Sequence, residues 1–277
     1  MIFKKNMKSK NQCSHNLKIN DLVSIPRSIN RKKLGIDTKR KSLPFYGVDI
    51  WNAYEISWLN LSGKPEIALA SFYVDADTPS FVESKSMKFY LNSFNQKKIK
   101  SIDNLKKILQ NDLSNAFGAN VYVNFIVVDD FKHLKFTELK GISIDRLKIE
   151  ITDYYPNIEL LKTKKNDTKI EETLFSNLFK TNCPNTSQPD WASIQIKYFG
   201  NPIEQDALLK YLISYRNYEG FHEQCIEKIF IDILDKCKPD KLMVLARYTR
   251  RGGIDINPWR SNFTIVDGLS NFRNARQ

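Results

Sequence analysis

The chain has 277 residues, of which 42% are hydrophobic and 27% charged, with a formal net charge of +12. That composition excludes a wholly disordered chain, and no stretch approaches the roughly 18–20 apolar residues of a membrane helix. The basic start, Met1 to Lys10, leads into no apolar run, so no secretory signal is expected and the chain is read as cytoplasmic. Residues 1–50 hold twelve Lys or Arg against three Asp or Glu, so the positive excess lies in an N-terminal segment rather than across a folded face. A solvated tail is one reading of it; attraction of an anionic ligand or RNA is the other. Cys13, Cys183, Cys225 and Cys237 form no Cys-x-x-Cys pair and match no zinc spacing, so they are expected to be thiols.

Along the chain, residues 1–20 read as a loose polar tail and 22–50, with Pro26 and Pro44, as an irregular arm laid over the core. Tyr54–Leu61 and Ile67–Val74 read as strands joined by the turn Ser62-Gly63-Lys64-Pro65. Met87, Tyr90, Leu91 and Phe94 recur at helical spacing. A second helix runs from Asp103 to Phe117, with Gly118 as its stop, and Val121–Val128 is an apolar strand. The order then repeats: strands at Leu174–Thr181 and Ser193–Phe199, helices at Gln205–Tyr215 and Glu223–Cys237, and a strand at Leu242–Tyr248. Pro65-Glu66-Ile67-Ala68 corresponds to Pro189-Asp190-Trp191-Ala192, and Tyr90–Phe94 to Tyr211–Tyr215. The pattern predicts an internal duplication of a strand-strand-helix-helix-strand-strand unit. Strands joined by short turns pair antiparallel, so the expected class is α+β with helices grouped on one face. No Gly-x-Gly occurs, so a nicotinamide cofactor would bind without a Rossmann loop.

Four segments hold candidate chemistry. Asn182-Cys183-Pro184 and Asp190 flank a loop that brings a thiol and a carboxylate together, as a nucleophile and its proton-transfer partner require. The spacing alone also fits, and by itself favours, a loop cysteine beside a turn-capping aspartate. Phe221-His222-Glu223 opens a helix; its carboxylate suits the paired donors of a guanine-like base, or simply the helix dipole. Val82-Glu83-Ser84-Lys85 could cradle phosphate at a helix start, or could be an ordinary cap. Arg251-Gly252-Gly253 offers a guanidinium and close backbone approach, or a surface turn. Cys225 and Cys237, on a helical pattern, read as packing.

Together these segments resemble one family, the NADPH-dependent 7-cyano-7-deazaguanine reductases. The resemblance rests on Glu83-Ser84-Lys85-Ser86-Met87-Lys88-Phe89-Tyr90, Asn182-Cys183-Pro184 through Asp190-Trp191, Phe221-His222-Glu223, and Arg251 through Pro258. Pro26-Arg27-Ser28-Ile29-Asn30-Arg31 and Leu43–Gly47 look like its long form, so the match runs from about Leu22 to the C-terminus. The resemblance implies two tandem tunnelling-fold units, each an antiparallel sheet backed by two helices, at 51–165 and 166–277 behind an arm of 1–50. It implies Cys183 and Asp190 as catalytic residues, working through a cysteine thioimide in the queuosine pathway of tRNA modification. It implies Val82, Glu83, Ser84, His222 and Glu223 around the substrate, and Ser84, Lys85, Arg251 and Gly252 around NADPH. No metal, membrane or direct nucleic-acid partner is expected, and a homodimer is. Two rivals are a zinc hydrolase of the same fold, which His15 and His133 do not support, and a non-catalytic RNA-binding module motivated by the charge.

Overall fold

A computed structural model describes residues 22–37, 42–164, 168–265 and 269–277; the tail reading for 1–20 falls outside them. The arm supplies β1 (Ser24–Pro26) and α1 (Arg27–Lys33). The first half continues with β2 (Tyr46–Leu59), β3 (Pro65–Asp75), β4 (Ser80–Val82), α2 (Ser84–Asn92), α3 (Ile102–Phe117) and β5 (Val121–Ile126). After β6 (Ile142–Ser143), the second half comprises β7 (Ile170–Asn182), β8 (Pro189–Gly200), α4 (Gln205–Ser214), α5 (His222–Cys237), β9 (Lys241–Tyr248) and β10 (Ile254–Ser261). One eight-stranded sheet runs in the order β5-β3-β2-β10-β9-β8-β7-β6. Its pairs are antiparallel except β6 with β7.

Alternation decides which face each strand buries. Trp51 and Ala53 of β2 pack under α2 and α3, whereas Ile50 points to the other face. A bulge between Ala53 and Ile56 adds a residue and resets the phase, so Ile56 and Trp58 return to the helix side. β7 carries a matching bulge between Ser176 and Phe179. Leu174, Phe179, Ile194, Val244 and Tyr248 pack against Leu208, Leu212, Ile226 and Phe230 of α4 and α5. The opposite face, around Ile50, Met243, Leu245 and Trp259, is covered by Leu139 and by Phe263, Leu269 and Phe272 of the C-terminal stretch. α3 begins at the Ser101 cap, whose hydroxyl accepts the Asn104 N–H, and ends at left-handed Gly118 with φ 77.

Two expectations change. The second half has the full strand-strand-helix-helix-strand-strand order, but the first half ends after one strand, β5. The chain then leaves the sheet through a 3-10 turn at Val128–His133 and rejoins it at the far edge as β6. The arm is not simply irregular either. Its helix buries Arg27 and Arg31, 3% and 4% exposed. Arg27 Nη2 lies 2.6 Å from Asp49 Oδ2, and Arg31 Nη2 lies 2.7 Å from Glu227 Oε1. Arg260 of β10 joins the two acids, at 2.8 Å from Asp49 and 3.0 Å from Glu227. Three guanidiniums thus share two carboxylates where arm, β2, β10 and α5 meet. Burial would raise the Asp49 pKa, but Arg260 and Arg27 hold it below the ordinary aspartate value.

Breaking such a buried pair strands the partner charges. Asp49→Asn is expected to lower stability by about 3–5 kcal/mol, read as a reduced urea midpoint with an unchanged slope. An unchanged midpoint would remove the network from any structural role.

Candidate active site

The end of β7 presents Cys183, 8% exposed, at the start of a tight turn. Its N–H donates to the Gln188 carbonyl at 2.9 Å, and Ser187 N–H donates back to the Cys183 carbonyl at 2.8 Å. Ser187 takes a left-handed φ of 53 to close that turn. Burial alone would raise the Cys183 thiol pKa. Hydrogen bonds from the Thr186 hydroxyl, the Asn185 and Thr186 N–H groups and the Arg251 guanidinium outweigh it and hold the pKa below 9.0. The other described cysteines differ: burial raises Cys225 well above the ordinary thiol range and pushes Cys237 up to about 11.

Asp190, the second residue of β8, faces this turn. Its Oδ2 lies 3.2 Å from His222 Nε2 and its Oδ1 2.9 Å from Arg251 Nη2. Burial pushes its pKa up, but His222 and then Arg251 bring it below the usual value, so the group is a carboxylate at neutral pH. The His222 ring stacks on Tyr248 at 3.7 Å between centroids and 4° between planes. Glu223, in the first turn of α5 and 2% exposed, has no hydrogen-bond partner at Oε1. Burial, reinforced by Asp49 and only partly offset by Arg27, pushes its pKa up to about 8. Val82, Ser84, Phe221 and Ile256 complete the walls of one cleft with these groups.

The structure therefore brings together Cys183, Asp190, His222, Glu223, Val82, Ser84 and Arg251. Glu83 is engaged otherwise: its carboxylate caps α2 by accepting Ser86 N–H at 2.8 Å and accepts Asn185 Nδ2–H at 3.3 Å. That second bond ties the first half to the nucleophile turn. Lys85 is exposed on the first turn of α2. Gly252, with φ 62, lets the β9–β10 turn approach Lys88, whose Cδ would lie 3.1 Å from an added Cβ. Sequence reasoning left three contributors unassigned. Lys88 is half-buried, with its pKa lowered by burial and then by Arg251. Its place within the segment that begins at Glu83 was the available signal. Tyr248 and Thr186 carried none, because a strand tyrosine and a loop threonine gain their roles only through tertiary contact.

A nicotinamide dinucleotide needs positive charge at the rim for its phosphates, and the residues present fit that need. Half-buried Lys88 feels both Asp190 and Cys183 of the cleft, and exposed Lys85 lies on the same first turn of α2 as the cleft residue Ser84. Among the described residues no three His, Cys, Asp or Glu side chains are grouped to hold a metal, and no helix is long and apolar enough to cross a membrane.

Comparison with known proteins agrees with this chemistry. Residues 14–125 match the profile of the N-terminal part of the nitrile reductase 7-cyano-7-deazaguanine reductase, and residues 189–265 match that of QueF-like proteins. The NADPH-dependent 7-cyano-7-deazaguanine reductase of Cupriavidus taiwanensis is 55% identical over 256 residues, 92% of either chain. Its counterparts from Burkholderia multivorans and Ralstonia nicotianae are 52% and 51% identical, again over 92% of each chain. Among solved structures, an archaeosine synthase described as QueF-like aligns over 36% of this chain and 99% of its own, at 16% identity and a TM-score of 0.31, too distant to bear on the fold. At this level of identity and coverage, the chain belongs to the family of NADPH-dependent 7-cyano-7-deazaguanine reductases, and is an oxidoreductase that uses NADPH.

Proposed function

We propose that this chain reduces the nitrile of 7-cyano-7-deazaguanine to the aminomethyl group, through a covalent adduct on Cys183, as a step toward queuosine in tRNA. One observation carries this reading. A thiol with a lowered pKa and an ionised Asp190 share a cleft with a buried Glu223 whose Oε1 has no partner. Glu223 accepts the ring N–H and exocyclic amine of the base once its own proton has left. His222 and the Val82-Glu83-Ser84 stretch close around the ring. Cys183 sulphur bonds to the nitrile carbon, and one C–N π bond opens. The thiol proton passes to Asp190, held by His222, and from there to the nitrile nitrogen, which gives a thioimide with no net change in protons. Bound NADPH supplies the hydrides, two for a nitrile-to-amine conversion. Between them the C–S bond breaks, and the enclosed cleft keeps the imine from water. Ser84, Lys85, Arg251 and Gly252 line the side proposed for the cofactor, with Lys88 against Gly252.

We read the architecture as two tandem tunnelling-fold units, 51–165 and 166–277, behind the arm of 1–50. The matching bulges of β2 and β7, each opposite the same stretch of its partner strand, support a duplication. On this reading the protein works in the cytoplasm as a homodimer on a small molecule, not on nucleic acid.

Intact-protein mass spectrometry with the nitrile and no NADPH tests the nucleophile. Wild type and Cys183→Ala should differ by the loss of the adduct, whereas Cys237→Ala keeps it; an undiminished adduct in Cys183→Ala overturns the assignment.

Glu223 gives a pH test. Free Glu223 keeps its proton below about 8, while the base requires the carboxylate. Binding therefore releases a proton, and nitrile affinity should rise from pH 6 to 8, by up to about tenfold per unit well below 8. Glu223→Gln sets a donor against a donor, costs about 1–3 kcal/mol, and should flatten the profile. Calorimetric titration across this range decides it: wild-type affinity that falls with pH sinks the anchoring role.

A further inference from the structure

The sheet splits along part of its central seam, and the split lies beside the cleft. β9 pairs with β10 from Met243–Ser261 to Leu245–Trp259, and the ladder stops there. Beyond that point β9 stays on β8 as far as Tyr248, opposite Ala192, while β10 stays on β2 as far as Ile254, opposite Ala53. The Tyr248 backbone is met by side chains where a continued ladder would supply backbone. Its N–H donates to Asn257 Oδ1 at 3.2 Å, and its carbonyl accepts Gln277 Nε2–H at 3.1 Å. Gln277 Nε2 also donates to Asn257 Oδ1 at 2.7 Å, so the two amides are bonded to each other. Gln277 Oε1 accepts the Asn274 N–H at 3.2 Å, and Asn257 Nδ2 donates to the Asp255 carboxylate. Asn257 is fully buried and Gln277 is 7% exposed. Two buried amides with every polar atom engaged hold one geometry.

Gln277 comes to the seam from the sheet face away from the helices. The stretch that carries it bonds Asn52 and Ser71 through Asn271, and Ser193 through Asn274. On the helix side of the same seam, the Tyr248 ring lies flat on His222, and His222 Nε2 is 3.2 Å from Asp190. A buried tyrosine ring has two side-chain torsions, so its place follows its backbone closely.

We propose that Gln277, paired with Asn257, is a positioning residue for the reaction: the amide pair fixes the Tyr248 backbone at the split, and through the Tyr248 ring sets His222 and Asp190 against the nitrile. This rests on the reading of Cys183 as nucleophile and Asp190 as its proton-transfer partner. Direct pairing here would draw β9 onto β10. The side-chain amides hold the strands apart while still satisfying the Tyr248 N–H and C=O. Ile256, next to Asn257, and His222, stacked on Tyr248, are both walls of the cleft, so the width of the split sets the distance between them.

The test separates the rate of adduct formation from nitrile affinity. Rapid-quench intact-protein mass spectrometry without NADPH reads the rate. Calorimetry in a Cys183→Ala background, where no adduct forms, reads the affinity. Gln277→Ala leaves the Tyr248 carbonyl without its donor, and Gln277→Glu sets a carboxylate against two acceptors at nearly unchanged size. Either should slow adduct formation about tenfold, while nitrile affinity, set by Glu223, stays within about threefold. Arg276→Ala, which loses a bond to the Asn177 carbonyl from the same stretch, should leave the rate within about twofold. Near-ultraviolet circular dichroism checks the fold of each; Gln277→Asn, one methylene short of Tyr248, carries the test where another variant unfolds. Wild-type rates in the Gln277 variants overturn the proposal. So does a loss of affinity as large as the loss of rate, or an equal slowing in Arg276→Ala, since either marks general loosening. A wild type that forms no adduct strikes the nucleophile reading itself, and this proposal with it.

Discussion

The placement of Glu223 in the cleft depends on the buried ion network next to it. Arg27, Arg31 and Arg260 share Asp49 and Glu227, all five 4% exposed or less. These residues come from α1, β2, α5 and β10, so the network pins the arm to the seam where the halves join through β2 and β10. Glu227 lies four residues after Glu223, on the same face of α5. The contacts that hold Glu227 therefore also fix where Glu223 points. A buried network of this kind gains little over an apolar core of equal volume, but it tolerates only one arrangement of its members. That intolerance suits a seam which must place a carboxylate against a base.

The two acids of the site are driven in opposite directions by their surroundings. Asp190 is buried yet ionised, because His222 and Arg251 both contact it. Glu223 is buried with an unpartnered oxygen, and its near acidic neighbour Asp49 adds to the effect of desolvation. The network beneath carries one excess positive charge, and this does not reverse the shift, because burial outweighs Arg27 and Arg260. Separate environments for two carboxylates a few residues from one another in space give one a proton-moving role and the other a ligand-accepting role.

Much of the fold was legible, for definite reasons. The periodicity of Leu105, Leu109, Leu113 and Phe117 located α3, and the Gly118 stop is where the left-handed cap lies. Strand positions were readable but their starts were not. β2 begins at Tyr46 rather than Tyr54, because Val48 and Ile50 face the C-terminal stretch while Trp51 and Ala53 face the helices, so apolar residues on both faces hide the alternation. α1 was missed because an arginine-rich, proline-preceded segment looks solvated until Asp49 and Glu227 arrive from distant sequence. In the site, the segment order marked Cys183, Asp190 and Glu223, whose chemistry follows from residue type. The direction in which Arg251 points does not follow from residue type, and neither does the capture of Glu83 by the α2 cap.

Activation and anchoring thus have different physical origins. The groups that lower the Cys183 pKa are mostly local: Asn185 and Thr186 lie within its own turn, and that turn is closed by Gln188. Such a nucleophile is ready whenever the turn is formed. The isolation of Glu223 is a product of distance in sequence, since Val82 comes from the first half and Ile256 from β10. Arg251 and the Glu83–Asn185 bond couple these two kinds of structure, one reaching from the β9–β10 turn and the other from α2 into the same turn. A loosened seam would therefore leave the thiol turn intact but remove its shared cation and its partner acid from register. Losses of a fraction of an ångström at such contacts are costly, because positioned groups act through geometry before they act through strength. The arm, far from the chemistry in sequence, controls the site by holding that register.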